Sequence, residues 1–120
     1  MKWKVMLMPS ILISSVLMGC AAQPITIPNT TDAWQDYGRQ QAIKGHLSQS
    51  EQKLAELDQS GAFTDELYNA YQVGYAAGKE KYCSQSAYML ARLDKPYLGI
   101  CDDVDPFFRS DYENARRESW

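Results

Sequence analysis

Few residues in this chain are equipped for chemistry. Its one histidine is His46, and its three cysteines are Cys20, Cys83 and Cys101. A zinc site needs several histidine or cysteine ligands at short spacings, and a Cys or Ser nucleophile needs a histidine beside it. Neither arrangement assembles from these parts, so no catalytic residue, no metal site and no cofactor is expected. Carboxylates do occur in pairs, Asp32 with Asp36 and Asp65 with Glu66. Both pairs fall at helix starts, where capping accounts for them. The acidic stretch Asp102-Asp103-Val104-Asp105 lacks the glycine and distal glutamate of a calcium loop, and one of its aspartates reads as a helix cap. The eight tyrosines offer more. Tyr68, Tyr75 and Tyr88 are candidates for a binding surface, because phenol rings give wide contact area with a polar tip. Tyr71 and Tyr82 read as core.

Cys20 ends an apolar run. "VMLMPSILISSVLMG" follows a basic start, "MKWK", and stops on small residues. The run is too short and too early for a membrane span and reads as an export signal over residues 1–19. Leu17-Met18-Gly19-Cys20 resembles the lipobox of bacterial lipoproteins, with an apolar residue three before the cysteine and a small one just before it. That resemblance implies a diacylglycerol thioether on the Cys20 sulfur, cleavage before Cys20 and acylation of the new amine. One acyl chain binds a membrane marginally, at about 0.8 kcal/mol per buried methylene, so several on one residue make a stable anchor. Ala21, standing where a retention aspartate would, favours the outer membrane over the inner by analogy with enteric sorting. The domain is then expected to face the periplasm.

Export also places Cys83 and Cys101 in an oxidising compartment, where a thiol pair in a small domain is usually a bridge. With Cys20 acylated, one pairing remains, and closing it stabilises by about 3 kcal/mol. The two lie far outside C-x-x-C spacing, which argues against a redox or metal pair. Removal of Lys2 and Lys4 with the signal leaves ten basic against fifteen acidic residues, a net charge of -5. Such a surface repels phosphate backbones, so nucleic acid is not expected as a partner. The membrane is reached through lipid on Cys20, and no basic run supplies a second attachment.

With 120 residues, 45% hydrophobic and 22% charged, the composition is that of one ordinary globular unit. Residues 20–31, "CAAQPITIPNTT", read as the lipidated cysteine and an extended tether of at most about 35 Å. A helical domain then spans 32–120. Asp32 is the expected N-cap of a first helix, with Gln35 in capping-box spacing and Trp34, Tyr37, Gly38, Ala42 and Gly45 on one face. A break near Gly45 is expected, against a competing single helix through His46. Ser48-Gln49-Ser50-Glu51 is a second capping box, opening a helix to about Asp58 with Leu54 and Leu57 inward. Thr64 caps a third helix whose inner face carries Leu67, Tyr71, Gly74, Gly78 and Tyr82. A short helix over Ala87 to Leu93 and a loop through Pro96 to Cys101 follow. Asp105 as cap and Pro106 at the first helical position open a last helix with Phe108, Tyr112 and Ala115 as its stripe. No segment alternates strictly enough for a strand. The expected fold is all-α, a small bundle of four to five short helices with one disulfide pinning the fourth segment to the third.

Gly74 and Gly78 together cost their helix about 2 kcal/mol relative to alanine. Close approach of another backbone is the usual compensation, and Gly38, Ala42 and Gly45 form a matching seam on the first helix. Trp34 and Tyr71 are expected to fill its flanks. Trp34, Gly38, Tyr71, Gly74, Gly78, Tyr82-Cys83 and Tyr97-Leu98-Gly99-Ile100-Cys101 together resemble the small proteobacterial lipoproteins of domain-of-unknown-function family 2799, from about Trp34 to Cys101. The resemblance implies a periplasmic, lipid-anchored domain without an established activity. The leading expectation is a non-enzymatic interaction or structural module that touches another envelope protein or the cell wall. The alternatives are a carbohydrate- or peptidoglycan-active enzyme using paired carboxylates, and a small-ligand binder using the tyrosine cluster.

Overall fold

A computed structural model describes residues 26–58 and 60–118. Cys20, the export signal and the tether up to residue 25 lie outside the described residues. Five helices follow one another: α1 (Thr31–Ile43), α2 (Glu51–Leu57), α3 (Asp65–Cys83), α4 (Ala87–Arg92) and α5 (Phe108–Glu118). Among the described residues there is no strand, so the fold is all-α, as the periodicity implies.

Four helices start on a hydroxyl that accepts a hydrogen bond from the third amide along, which satisfies one otherwise orphaned donor. Thr30, Ser50, Thr64 and Ser86 hold this position for α1 to α4. Two of the expected caps therefore move. Asp32 is not the N-cap of α1 but sits in its first turn, where its charge suits the helix dipole. Ser50, not Ser48, caps α2, accepting from the Lys53 amide at 3.3 Å. At the other end of α1 the amides of Gly45 and His46 turn back to the carbonyls of Ala42 and Gln41, so no single helix runs through His46. The last helix starts at Phe108 rather than Pro106. Asp105 Oδ1 accepts from the Phe107 amide at 3.0 Å, and the Asp105 carbonyl accepts from the Phe108 amide, which makes a turn ahead of the helix.

The glycine seam is where the fold is tightest. A Cβ on Gly38 would overlap the Tyr71 carbonyl oxygen, one on Gly74 the Gln35 carbonyl, and one on Gly78 the Arg39 carbonyl and the Ala42 methyl. Gly45 stands against the Tyr82 ring in the same row. Positions rise together on both helices, so α1 and α3 run parallel, with α2 in the connection between them. The backbone contact offsets what two mid-helix glycines cost α3. Trp34 and Tyr71, both fully buried, fill the flanks.

Leu54 is the buried residue of α2, while Leu57 is 38% exposed and does not share its inward face. Beyond α3 the chain builds a second, smaller layer in which α4 and α5 pack on each other. The two layers meet through the Cys83–Cys101 disulfide, with Cα atoms 5.6 Å apart, and through the Tyr82–Phe108 ring contact. Cys101 is fully buried and Ile100 nearly so, so the bridge pins the fourth segment to the third as expected. No described helix is long and apolar enough to cross a membrane.

Candidate functional site

The tyrosines divide between the two layers, and most use their hydroxyls to hold loops. In the first layer Tyr37, Tyr68, Tyr71 and Tyr75 form a chain of ring contacts with centroids 5.8 to 6.3 Å apart, and Trp34 joins it by an edge contact to Tyr37. Tyr71 Oη accepts from the Gln49 amide at 3.0 Å, and Tyr75 Oη donates to the His46 carbonyl at 2.7 Å. Two phenols thus secure the α1–α2 loop. Burial, reinforced by the charges of Tyr71 and Asp103, pushes the Tyr75 phenol up to about 12.

These contacts correct the expected tyrosine surface. Tyr75 is only 8% exposed and belongs to the core. Tyr68 is half-buried against it, and its ring stacks on Tyr71. Tyr88 is 44% exposed, but it lies on α4, where Arg92 covers its ring at 5.7 Å. Tyr68, Tyr75 and Tyr88 are therefore not brought together into one surface; a helical period read along α3 alone does not show that α1 and the 46–49 loop cover Tyr75.

The second layer is organised by a network that sequence spacing did not reveal. Tyr97 Oη donates to Asp102 Oδ1 at 2.8 Å and accepts from the Cys101 amide at 3.0 Å. Arg109 reaches Asp102 Oδ2 through both Nη2, at 2.6 Å, and Nε, at 3.2 Å, and lies over the Tyr97 ring at 5.3 Å. Gly99 allows this closure: its φ is +99°, and a Cβ there would sit 2.8 Å from Arg109 Nη2. The hydrogen bonds from Arg109 and Tyr97 hold the Asp102 carboxyl below its ordinary range. Burial first, then the hydrogen bond to Asp102, raises the Tyr97 phenol to about 12. Tyr-x-Gly-x-Cys is thus a loop-locking motif, and the available clue was a glycine between a tyrosine and a cysteine with an arginine in the first turn of α5.

The acids are committed in the same structural way. Asp103 pairs with Lys79 at 2.7 Å, Asp105 holds the turn before α5, and Asp36 pairs with Arg39 at 2.7 Å. Asp65 and Glu66 occupy the first turn of α3. The Glu51 carboxyl is raised chiefly by a hydrogen bond to Asp65. His46 contributes its carbonyl to Tyr75. Among the described residues no three His, Cys, Asp or Glu side chains gather as metal ligands.

Two open grooves border the second layer. One, of about 580 Å³, runs between α3 and the loop before α5 and is lined by Ala76, Lys79, Glu80, Cys83 and Val104. The other, of about 530 Å³, lies between the start of α4 and α5, with Tyr88, Asp111 and Asn114 on its walls. In the same part of the chain Tyr88, Met89, Leu93, Leu98, Val104 and Phe107 are exposed, six of the nine exposed large apolar side chains among the described residues. Phe107 is 68% exposed. The segment that follows Cys83 accordingly carries most of the exposed large apolar side chains among the described residues, and with them apolar area to offer a partner.

Comparisons with curated proteins and with solved structures gave no match. A family model described as "Protein of unknown function (DUF2799)" matches residues 33–117, which takes in both layers, the glycine seam, the disulfide and the Tyr97–Asp102–Arg109 network. The chain belongs to that family.

Proposed function

We propose that this protein is a lipid-anchored module of the cell envelope, held at the outer membrane by Cys20 and facing the periplasm, that acts by contact rather than catalysis. The carrying observation is the Cys83–Cys101 bond. It suits an oxidising compartment and leaves Cys20 as the one cysteine outside the pair, at the end of the apolar run where the lipobox resemblance places acylation. The exposed apolar side chains between Tyr88 and Phe107 supply the contact area, and an envelope protein or the cell wall is the partner class. The structural commitments of Asp36, Asp102, Asp103 and Asp105 favour contact over carboxylate catalysis.

Cell fractionation tests the anchor. The full chain is expected in the outer-membrane fraction, and Cys20→Ser in the soluble periplasm or unprocessed. A wild-type protein that fractionates as soluble, or a Cys20→Ser variant that stays matured and membrane-bound, would overturn the reading.

A further inference from the structure

The two grooves that border the second layer share a wall. Asp105 lines both, and Ser84 of the first is followed in the chain by Gln85 of the second, so one extended ligand crossing Asp105 touches both. The first groove is apolar: Ala76 and Cys83 come from α3, and Val104, 59% exposed, comes from the loop before α5. The second is walled by Tyr88 of α4 and by Asp111, Asn114 and Glu118 of α5, all of them exposed. An exposed apolar groove continued by a polar one has the form of a contact site for an amphipathic partner.

Charge decides what such a partner can be. The carboxylates of Glu80, Asp105, Asp111 and Glu118 belong to residues lining the joined grooves, against a single lysine, Lys79. Lys79 is already neutralised by Asp103 at 2.7 Å, whereas no ion pair among the described residues engages those carboxylates. Arg92 lies over the Tyr88 ring but lines neither groove. At 0.1 M salt charges act over about 10 Å, so these carboxylates bias a bound chain without pairing atom to atom. An anionic surface or polymer is repelled, and so is a second copy of this acidic chain, with fifteen acidic residues against twelve basic. A small amine suits the carboxylates but leaves the apolar wall uncovered. Among the described residues no strand offers an edge to extend, so recognition runs through side chains rather than a backbone ladder. A helix laid in a groove meets those terms with anchors at i, i+3, i+4 and i+7.

We propose that the joined grooves dock a basic amphipathic helix of an envelope protein, with its apolar side chains against Ala76, Cys83 and Val104 and its lysines or arginines beside Asp105, Asp111 and Glu118. The apolar groove is the site, and the carboxylates select its occupant. This rests on the reading of the chain as a contact module and names the chemistry of its partner.

The test is a ¹H–¹⁵N NMR titration of the full-length protein in a maltoside detergent, following the Val104, Asp111 and Asn114 amides. The probe is a synthetic amphipathic peptide, roughly two heptads of leucine and lysine, and the control replaces every lysine with glutamate. A saturable shift of those amides is expected with the lysine peptide, weakening as salt rises from about 0.05 to about 0.5 M, and none with the glutamate peptide. Asp111→Lys and Val104→Arg, both at exposed positions, are expected to keep the fold and each to weaken the affinity about tenfold or more, as like charges brought together at an interface do. No saturable shift with the lysine peptide overturns the proposal, whatever the variants do. A glutamate peptide that binds as tightly, or undiminished affinity in a folded variant, also overturns it. A failed titration leaves the anchored module standing, and a protein found soluble on fractionation leaves the titration standing, so the two readings fail separately.

Discussion

Tyr97 shows how one side chain can carry a loop. Its hydroxyl links the Cys101 amide to Asp102, and its ring lies beneath Arg109. Folding favours the neutral phenol here and at Tyr75, both raised from 10.0 to about 12. A raised phenol stabilises the fold fully below its ordinary value and loses that contribution as pH rises from 10 through 12. Spectrophotometric titration of the tyrosinates should accordingly find two groups ionising last, together with the onset of alkaline unfolding. Asp102→Ala removes one cause of the Tyr97 shift and should bring that ionisation to lower pH, with Tyr75 unmoved. The sign is opposite for Asp102. Its lowered carboxyl contributes above its ordinary 3.8 and loses that contribution as pH falls toward the lowered value, so acid unfolding should start at higher pH in Arg109→Ala than in the wild type.

At the scale of elements the α1–α3 seam decides the architecture. Gly74→Ala would raise intrinsic helix propensity by about 1 kcal/mol, yet its Cβ would overlap the Gln35 carbonyl oxygen, and backbone cannot yield as a side-chain tip does. Overpacking costs typically about 1–3 kcal/mol. Urea denaturation should therefore show Gly74→Ala destabilised despite the better helix former. The seam was legible in the sequence because two mid-helix glycines at a four-residue spacing make sense only if another backbone approaches, and Gly38 and Ala42 repeat that spacing. Cap positions were harder to read. Thr30, Thr31 and Asp32 are all competent caps, as are Ser48 and Ser50, and the choice falls to whichever has extended backbone when tertiary packing fixes the helix start. Tyr75 and Leu57 were misplaced for a related reason: exposure depends on what crosses over a helix, and the path of the 46–50 loop is not written in either helix's own period. The Asp102–Arg109 pair escaped because it joins a loop to the next helix, where no periodic pattern relates the two.

In the whole molecule, stability is shared unequally. α1 and α3 are joined along their length, and α4 and α5 pack on each other, but α3 has little helix-on-helix surface with either of the last two. The bridge therefore carries more than its loop. Cys83→Ser and Cys101→Ser should each destabilise by about 2–5 kcal/mol, and the double variant should be no worse than either single. Hydrogen exchange of the reduced protein should lose protection first across 87–118 and last in α3. Uniform loss would mean that the layers unfold as one unit.

The most direct test of the account as a whole is intact and peptide mass analysis of the mature protein, extracted from membranes and kept unreduced with free thiols alkylated. The expected result is a chain starting at Cys20, carrying diacylglycerol and acyl mass on that residue, with the peptides containing Cys83 and Cys101 linked and no thiol alkylated. An unmodified or alkylated Cys20, or free thiols at Cys83 and Cys101, would contradict it.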